Sequence, residues 1–391
     1  MKIAFISDAA YIGNKGGIEY TEMVEAVELA KDRRNEVHFF SMRWPGMGKD
    51  FVKDNIHYHT LTKTDLSTFY RHGRRSIRTS IMFTLSMIRI FPYKFDVIEA
   101  NMFPVLHIPA LKIYCKLRHC KLVLDVAEVW ERKYWSEYLK NKFLGELAYK
   151  YAAYFLGSAQ AYIANSSVTT ERLKAEGIND ERIYFFNPNL EMEELEKVRK
   201  SAKRRPRIFF SGRFVKEKRL DLWLKVVKDV HAKLPMTEAL LVGEGPEGES
   251  LKRQIGELHL EKVVTMRQFY PEEKEMWRQL ASSSVLLMVS EREGLSAITL
   301  KALALGVPAV LPEDSPIPKE VKSMCVVERE SRLASKVIEI IRSKNPEKYI
   351  RNRDGLKTFS SSNVIPFYDE LFANLFKSGR VPEAAEEQEI R

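Results

Sequence analysis

Arg213 and Lys218 flank a short loop in Ser211-Gly212-Arg213-Phe214-Val215-Lys216-Glu217-Lys218-Arg219-Leu220-Asp221. The loop follows a run that reads as a strand. Two cations at the carboxyl end of a strand can neutralise a diphosphate and stabilise it as a leaving group. A second segment, Ser290 to Val310, complements the first. An apolar strand over Val285–Val289 runs into an acidic turn containing Gly294. A helix follows, with Ser296 expected as its N-cap and Gly306 as its C-cap. Its free N–H groups and partial positive charge suit a phosphate. Glu293 beside that end can accept hydrogen bonds from sugar hydroxyls. The two segments together describe a site for a phosphate joined to a polyol.

Other motifs are less specific. Gly243-Glu244-Gly245-Pro246-Glu247-Gly248 has the literal G-x-G-x-x-G spacing of a dinucleotide fingerprint. It lies mid-chain, holds a proline, and carries two acids that would repel a pyrophosphate, so a tight strand-to-helix turn is the better expectation. Gly13 to Glu19, with Gly16 and Gly17 paired, follows the first strand and precedes a helix, where backbone can approach a ligand closely. Phe69 to Phe91 reads as a basic amphipathic stretch, with Arg71, Arg74, Arg75 and Arg78 on roughly one side of a helix. Such stretches dock on anionic lipid; a solvated face over a core helix is the alternative. Of the eight histidines only His107 sits where chemistry is expected, and a core histidine is its ordinary role. Glu293 with Glu291, and Asp125 with Glu128, are the nearest approach to paired carboxylates. No Ser/His/Asp set, P-loop or metal-spaced cluster appears, so the expectation is no metal and no cofactor.

The elements that must position these residues alternate strand and helix throughout, which argues for parallel sheets with crossover helices. Expected strands are Lys2–Ser7, Glu36–Ser41, Ile56–Leu61, Asp96–Ala100, Leu122–Val126, Ala161–Asn165 and Arg182–Phe186. A second series comprises Arg207–Ser211, Ala239–Gly243, Lys262–Met266, Val285–Val289, Pro308–Leu311 and Met324–Val327. The fold class is therefore α/β, with two Rossmann-like doubly wound domains. Residues 1–190 form the first and 207–362 the second, joined by a charged linker at 191–206. A C-terminal helix over 363–378 is expected to cross back to the first domain, and 379–391 form a flexible acidic tail. Ligands of such sheets bind at the carboxyl ends of strands, so a cleft between two such edges is natural.

The 391 residues carry a formal charge of +10, with 45% hydrophobic content and three cysteines without metal or disulfide spacing. That composition suits a reducing cytoplasm, and the opening residues look like a strand rather than a signal peptide. The basic residues are not interleaved with a nucleic-acid-binding motif, so no nucleic acid partner is expected.

In their order along the chain these segments resemble the retaining GT-B fold glycosyltransferases of family four (glycosyl transferase group 1). The resemblance rests on Ser211 to Asp221, Leu241 to Pro246 and Ser290 to Val310, supported by Gly16-Gly17-Ile18-Glu19 and Leu124 to Trp135. It implies a nucleotide-sugar donor as substrate, with Arg213 and Lys218 on the diphosphate. Glu293 and the backbone of Gly294, Leu295, Ser296 and Ala297 would meet the donor sugar. Gly16, Gly17 and Gly243 would line the donor site, and Glu128 and His107 the acceptor side. Three positions depart from the family's pattern. Lys301 stands where a second glutamate grips the ribose, Ala127 where a histidine is frequent, and Asn187-Pro188 replaces an Asn-Gly turn. A lysine donates only and cannot accept from a diol. The expected activity is sugar transfer, with retention, to a lipid-linked or glycan acceptor. It would take place in the cytoplasm, peripherally at the inner membrane face. The alternative is a non-catalytic relative that binds a sugar nucleotide, a polymer or a partner enzyme, and a weaker third option is a sugar-nucleotide epimerase.

Overall fold

The computed structural model describes residues 1–13, 16–71 and 74–377; the expected tail at 379–391 lies outside the described residues, as do Asn14 and Lys15, and the side chains of Leu66, Tyr70, Arg71 and Arg74. The chain forms two compact units. The first comprises residues 1–164 and 169–186 together with the C-terminal segment from Ser362, and the second comprises 165–168 and 187–361.

The first unit holds β1 (Lys2–Ile6), β2 (Glu36–Arg43), β3 (Asp50–Lys53), β4 (Ile56–Lys63), a small hairpin of β5 (Tyr70–Arg71) and β6 (Arg74–Arg75), β7 (Val97–Asn101), β8 (Lys121–Val126), β9 (Ala161–Ala164) and β10 (Ile183–Phe185). The main sheet runs β10-β9-β8-β7-β1-β2-β4-β3. Every pairing in it is parallel except β3 with β4. Edge strand β3 is not among the strands expected from sequence. Its residues are largely exposed and Asp50 and Lys53 bound it, so it lacks an apolar run and presents charge at the open edge. Successive residues of the inner strands feed opposite faces. Ala4 and Ile6 join one apolar cluster while Ile3 and Phe5 join the other.

The helix Val364–Lys377 belongs to this first unit and buries Val364, Tyr368, Leu371, Phe372 and Leu375, a stripe at helical spacing. Phe367 stacks on Phe186 with ring centroids 3.8 Å apart. Beneath the helix lies a group of buried acids. Glu25 of the helix Gly17–Lys31, Glu99 of β7 and Asp125 of β8 offer carboxylate oxygens all within 4.8 Å of one another. The Tyr368 hydroxyl donates to Glu99 at 2.7 Å. The neighbours of Asp125 in this cluster are thus Glu25 and Glu99. Burial, then the neighbouring Asp125 charge, pushes Glu99 up to about 8; burial pushes Asp125 up to about 7. Glu25 is held well above the usual carboxylate range by burial and then by Glu99.

The second unit holds β11 (Arg207–Ser211), β12 (Glu238–Val242), β13 (Val264–Arg267), β14 (Val285–Leu287), β15 (Ala309–Pro312) and β16 (Val326–Glu328), in the order β13-β12-β11-β14-β15-β16 and parallel throughout. The stretch expected as an open linker contains the helix Met192–Ser201, packed into this unit through fully buried Leu195. Acids in its first turn and bases in its last match the helix dipole. That pattern of charge gives no strand signal. Among the described residues no helix is long and apolar enough to cross a membrane.

The acid cluster has a measurable consequence. A carboxyl whose folded pKa lies above its unfolded value contributes stability that is fully present below the unfolded pKa and lost as pH rises through the folded one. The first unit should therefore lose stability progressively between about pH 5 and pH 9, and Glu99→Gln should flatten that slope in denaturant titrations. Equal slopes in the two proteins would refute the placement.

Candidate functional site

In the second unit the strand order reverses between β11 and β14, and the loops that leave these adjacent parallel strands emerge side by side. A doubly wound sheet binds ligands at such a reversal. The two loops are fastened together. The Glu291 N–H donates to the Glu217 carbonyl at 2.8 Å. The Lys218 amine meets Glu293 at 2.5 Å, with both side chains mostly buried at 18% and 10% exposure. The Ser290 hydroxyl donates to the same Glu293 oxygen at 2.9 Å. Arg219, at φ 49°, reaches Glu291, Asp314 and Glu330 and ties the base of the arrangement. Arg213 sits exposed in the same loop and has no ion-pair partner among the described residues.

The helix Ala297–Ala304 starts from Ser296, as expected, but not through a side-chain cap. Ser296 adopts φ 62° and its hydroxyl pairs with that of Thr299 at 2.9 Å. The left-handed turn aims the serine at Thr299 rather than at a backbone N–H. The other end matches the expectation for Gly306. With φ 76°, its N–H reaches Leu303 and that of Val307 reaches Ala302, a Schellman arrangement.

Gly243 and Gly245 explain the misleading fingerprint. A Cβ on Gly243 would lie 1.9 Å from the Gly212 carbonyl oxygen, and one on Gly245 would lie 2.4 Å from that of Phe214. The Phe214 N–H donates to Glu244 and the Glu247 N–H to Phe214. These glycines let the loop after β12 close onto the Arg213 loop and set its course. A Cβ on Gly294 would meet nothing within 4 Å, so space alone does not demand a glycine there.

Lys301 does not protrude as a bare cation. It is buried, lies 5.8 Å from the centre of the Trp277 ring and pairs with Glu273, the first residue of the helix Glu273–Ala281. Sequence reasoning misses Glu273; its position two residues beyond Pro271 in a strand-to-helix turn is the available signal.

In the first unit the helix Gly17–Lys31 starts at the glycine pair. A Cβ on Gly16 would lie 2.0 Å from a Glu19 carboxylate oxygen, so the missing side chain makes room for Glu19 at the helix N-terminus. Gly17 has open space around it. The basic stretch departs from expectation. Arg71, Arg74 and Arg75 lie in the β5–β6 hairpin, and only Arg78 enters a helix, Ile77–Ser86, capped by Ser76. Arg75 is held by buried Asp8 at 2.8 Å, and the Tyr138 hydroxyl donates to the Arg75 carbonyl. Burial raises Asp8 to about 6, against the lowering influence of Arg75.

His107 is also corrected. It is fully buried, bonds through Nδ1 to the Pro104 carbonyl, packs edge-on against Phe83, and is driven by burial down to about 4. It is a neutral core histidine and does not face an acceptor. Glu128 is half-buried and accepts from the Trp130 indole at 3.2 Å. Trp130 opens an unforeseen aromatic cluster, with Phe103, Tyr134, Trp135 and Tyr138 rings 4.4 to 4.9 Å away. The spacing of Tyr134, Trp135 and Tyr138 on one helix is its sequence signal.

Comparison with known proteins follows this division. The family model described as Glycosyl transferases group 1 matches residues 191–354, and that described as Glycosyltransferase Family 4 matches residues 15–188. N-acetyl-alpha-D-glucosaminyl L-malate synthase of Bacillus anthracis is 25% identical over 213 residues, 51% of this chain and 53% of that protein, so the match spans about half that relative's length. The crystal structure of Anabaena Alr3699/HepE in complex with UDP and glucose superposes with a TM-score of 0.67 at 15% identity, covering 96% of this chain and all of the other. Sucrose-phosphate synthase from Thermosynechococcus elongatus gives 0.71 at 16% identity, covering 97% of this chain and all of the other. At these identities the likeness is one of fold.

Two glycine substitutions separate steric need from loop freedom. Gly243→Ala should destabilise the protein by about 2–3 kcal/mol in denaturant titrations, because backbone must move. Gly17→Ala, in open space at a helix start, should be neutral or gain up to about 1 kcal/mol.

Proposed function

Since the chain belongs to the GT-B glycosyltransferases of the group 1, family 4-like type, we propose that it transfers a sugar from a nucleoside diphosphate sugar, with retention, to a lipid-linked or glycan acceptor at an anionic membrane surface. The observation that carries the donor half is the fastening of the Lys218 loop to the Glu293 turn at the strand-order reversal of the second unit. Solved relatives holding UDP and UDP-glucose support a nucleotide-sugar donor.

Catalysis on this reading is mainly electrostatic. As the bond from the sugar's anomeric carbon to the diphosphate oxygen breaks, negative charge grows on the leaving group. Arg213, Lys218 and the N–H groups opening the helix Ala297–Ala304 stabilise it. The acceptor oxygen attacks from the same face, and its proton passes to the departing phosphate oxygen, so no strong protein base is needed. Glu293 accepts from donor-sugar hydroxyls while sharing the Lys218 amine. The reading as a non-catalytic relative draws on Lys301. Its pairing with Glu273 leaves no uncompensated cation there and weakens that reading.

The membrane half rests on the outer face of three helices in the first unit. Ile77–Ser86, Ile108–Arg118 and Lys142–Leu156 send Phe83, Leu111 and Leu156 into one apolar cluster, so they share a sheet face. Outward they expose Leu85 (71%), Leu117 (64%) and Phe143 (77%), with Ile88 (72%) just after the first helix. Arg78, Lys112, Lys116 and Lys150 lie on the same helices. Apolar residues among bases suit an anionic leaflet, which an apolar residue enters and a base attracts.

Arg213→Ala and Lys218→Ala should each lower kcat by about a hundredfold or more with the active nucleotide sugar, which a donor-panel transfer assay measures. Turnover equal to wild type would remove the assignment. Leu85→Glu with Ile88→Glu should reduce co-sedimentation with phosphatidylserine liposomes about tenfold, and added salt should weaken the wild-type interaction. Undiminished binding by the double variant would rule out this face.

A further inference from the structure

We infer that Glu273, held in place by Lys301, is the carboxylate that receives the ribose hydroxyls of the donor nucleotide. This rests on the donor reading above and adds a specificity residue to it. Lys301 lies in the helix that opens at the proposed diphosphate site, about 7.5 Å along its axis from Ser296 at 1.5 Å per residue. Its side chain is only 6% exposed, yet its amine is not aimed at the phosphate end; it donates to Glu273 Oε1. The Trp277 indole N–H approaches the same oxygen at 3.4 Å. Two donors converging on one oxygen fix the carboxylate in orientation. Glu273 keeps 18% exposure at the start of a helix that follows β13, on the strand-end edge of the second unit.

An ionised carboxylate accepts hydrogen bonds and donates none. The group it would receive must donate hydrogen bonds and cannot be a phosphate, since like charges repel. In a nucleoside diphosphate sugar the neighbour of the diphosphate on the nucleoside side is a ribose, whose vicinal hydroxyls donate as a pair. The lysine at 301 is therefore not a lost contact. It recruits a carboxylate from another helix to the same neighbourhood, and the charge pattern is exchanged between two positions.

The test is calorimetric binding to the full chain of UDP, 2′,3′-dideoxy-UDP and inorganic pyrophosphate. Wild type should bind UDP about tenfold or more tightly than the dideoxy compound, since hydrogen bonds to a charged acceptor are lost. Glu273→Gln should cut that ratio to about twofold or less while leaving pyrophosphate binding unchanged. The exchanged pair, Lys301→Glu with Glu273→Lys, should restore the discrimination, which a merely structural ion pair would not do. An unchanged ratio in Glu273→Gln, or no ratio in wild type with pyrophosphate still bound, overturns this inference alone. Failure of wild type to bind either UDP or pyrophosphate overturns the donor reading itself.

Discussion

The second unit depends on one constraint: adjacent parallel strands that diverge in connection must send their following loops out side by side. β11 and β14 do this, and the loops are then locked by a backbone hydrogen bond and by Lys218 against Glu293. An ion pair this poorly exposed is desolvated, so its attraction is offset by the loss of hydration. Its value is in geometry. It fixes a cation and a carboxylate beside the turn that opens the helix Ala297–Ala304.

The same rule of burial operates twice more. Lys301 is tolerated in the interior because Glu273 neutralises it, and Trp277 stands beside both. Glu25, Glu99 and Asp125 have no such cation among the described residues. Burial instead pushes these carboxyls towards their neutral forms. A buried charge is either paired or discharged, and the two units illustrate one solution each. Where Asp8 is concerned both operate, since burial raises its pKa while Arg75 lowers it.

Much of the fold is legible because buried parallel strands read as apolar runs between helix signals. All the inner strands are found that way, and the exposed edge strand Asp50–Lys53 is not. Arg71, Arg74 and Arg75 mislead because four basic residues at suitable spacing describe a helix face as well as a hairpin. The partners that hold Arg75, Asp8 and Tyr138, come from distant parts of the chain. His107 looks reactive beside a strand end, and its burial depends on Phe83 from another helix. Ser296 has the right residue type for a cap, but at a φ of 62° it makes no side-chain cap hydrogen bond.

The sequence by itself determined the alternation of strands and helices, the helix-ending glycine at Gly306, and the carboxylate of Glu293 just before a helix start. These are properties of near neighbours, and near neighbours are adjacent in the chain. Tertiary structure alone decided what Lys301, Arg75 and Asp125 face. Their partners Glu273, Asp8 and Glu99 come from other elements, and the charge state and direction of a long or buried side chain follow from what surrounds it in space.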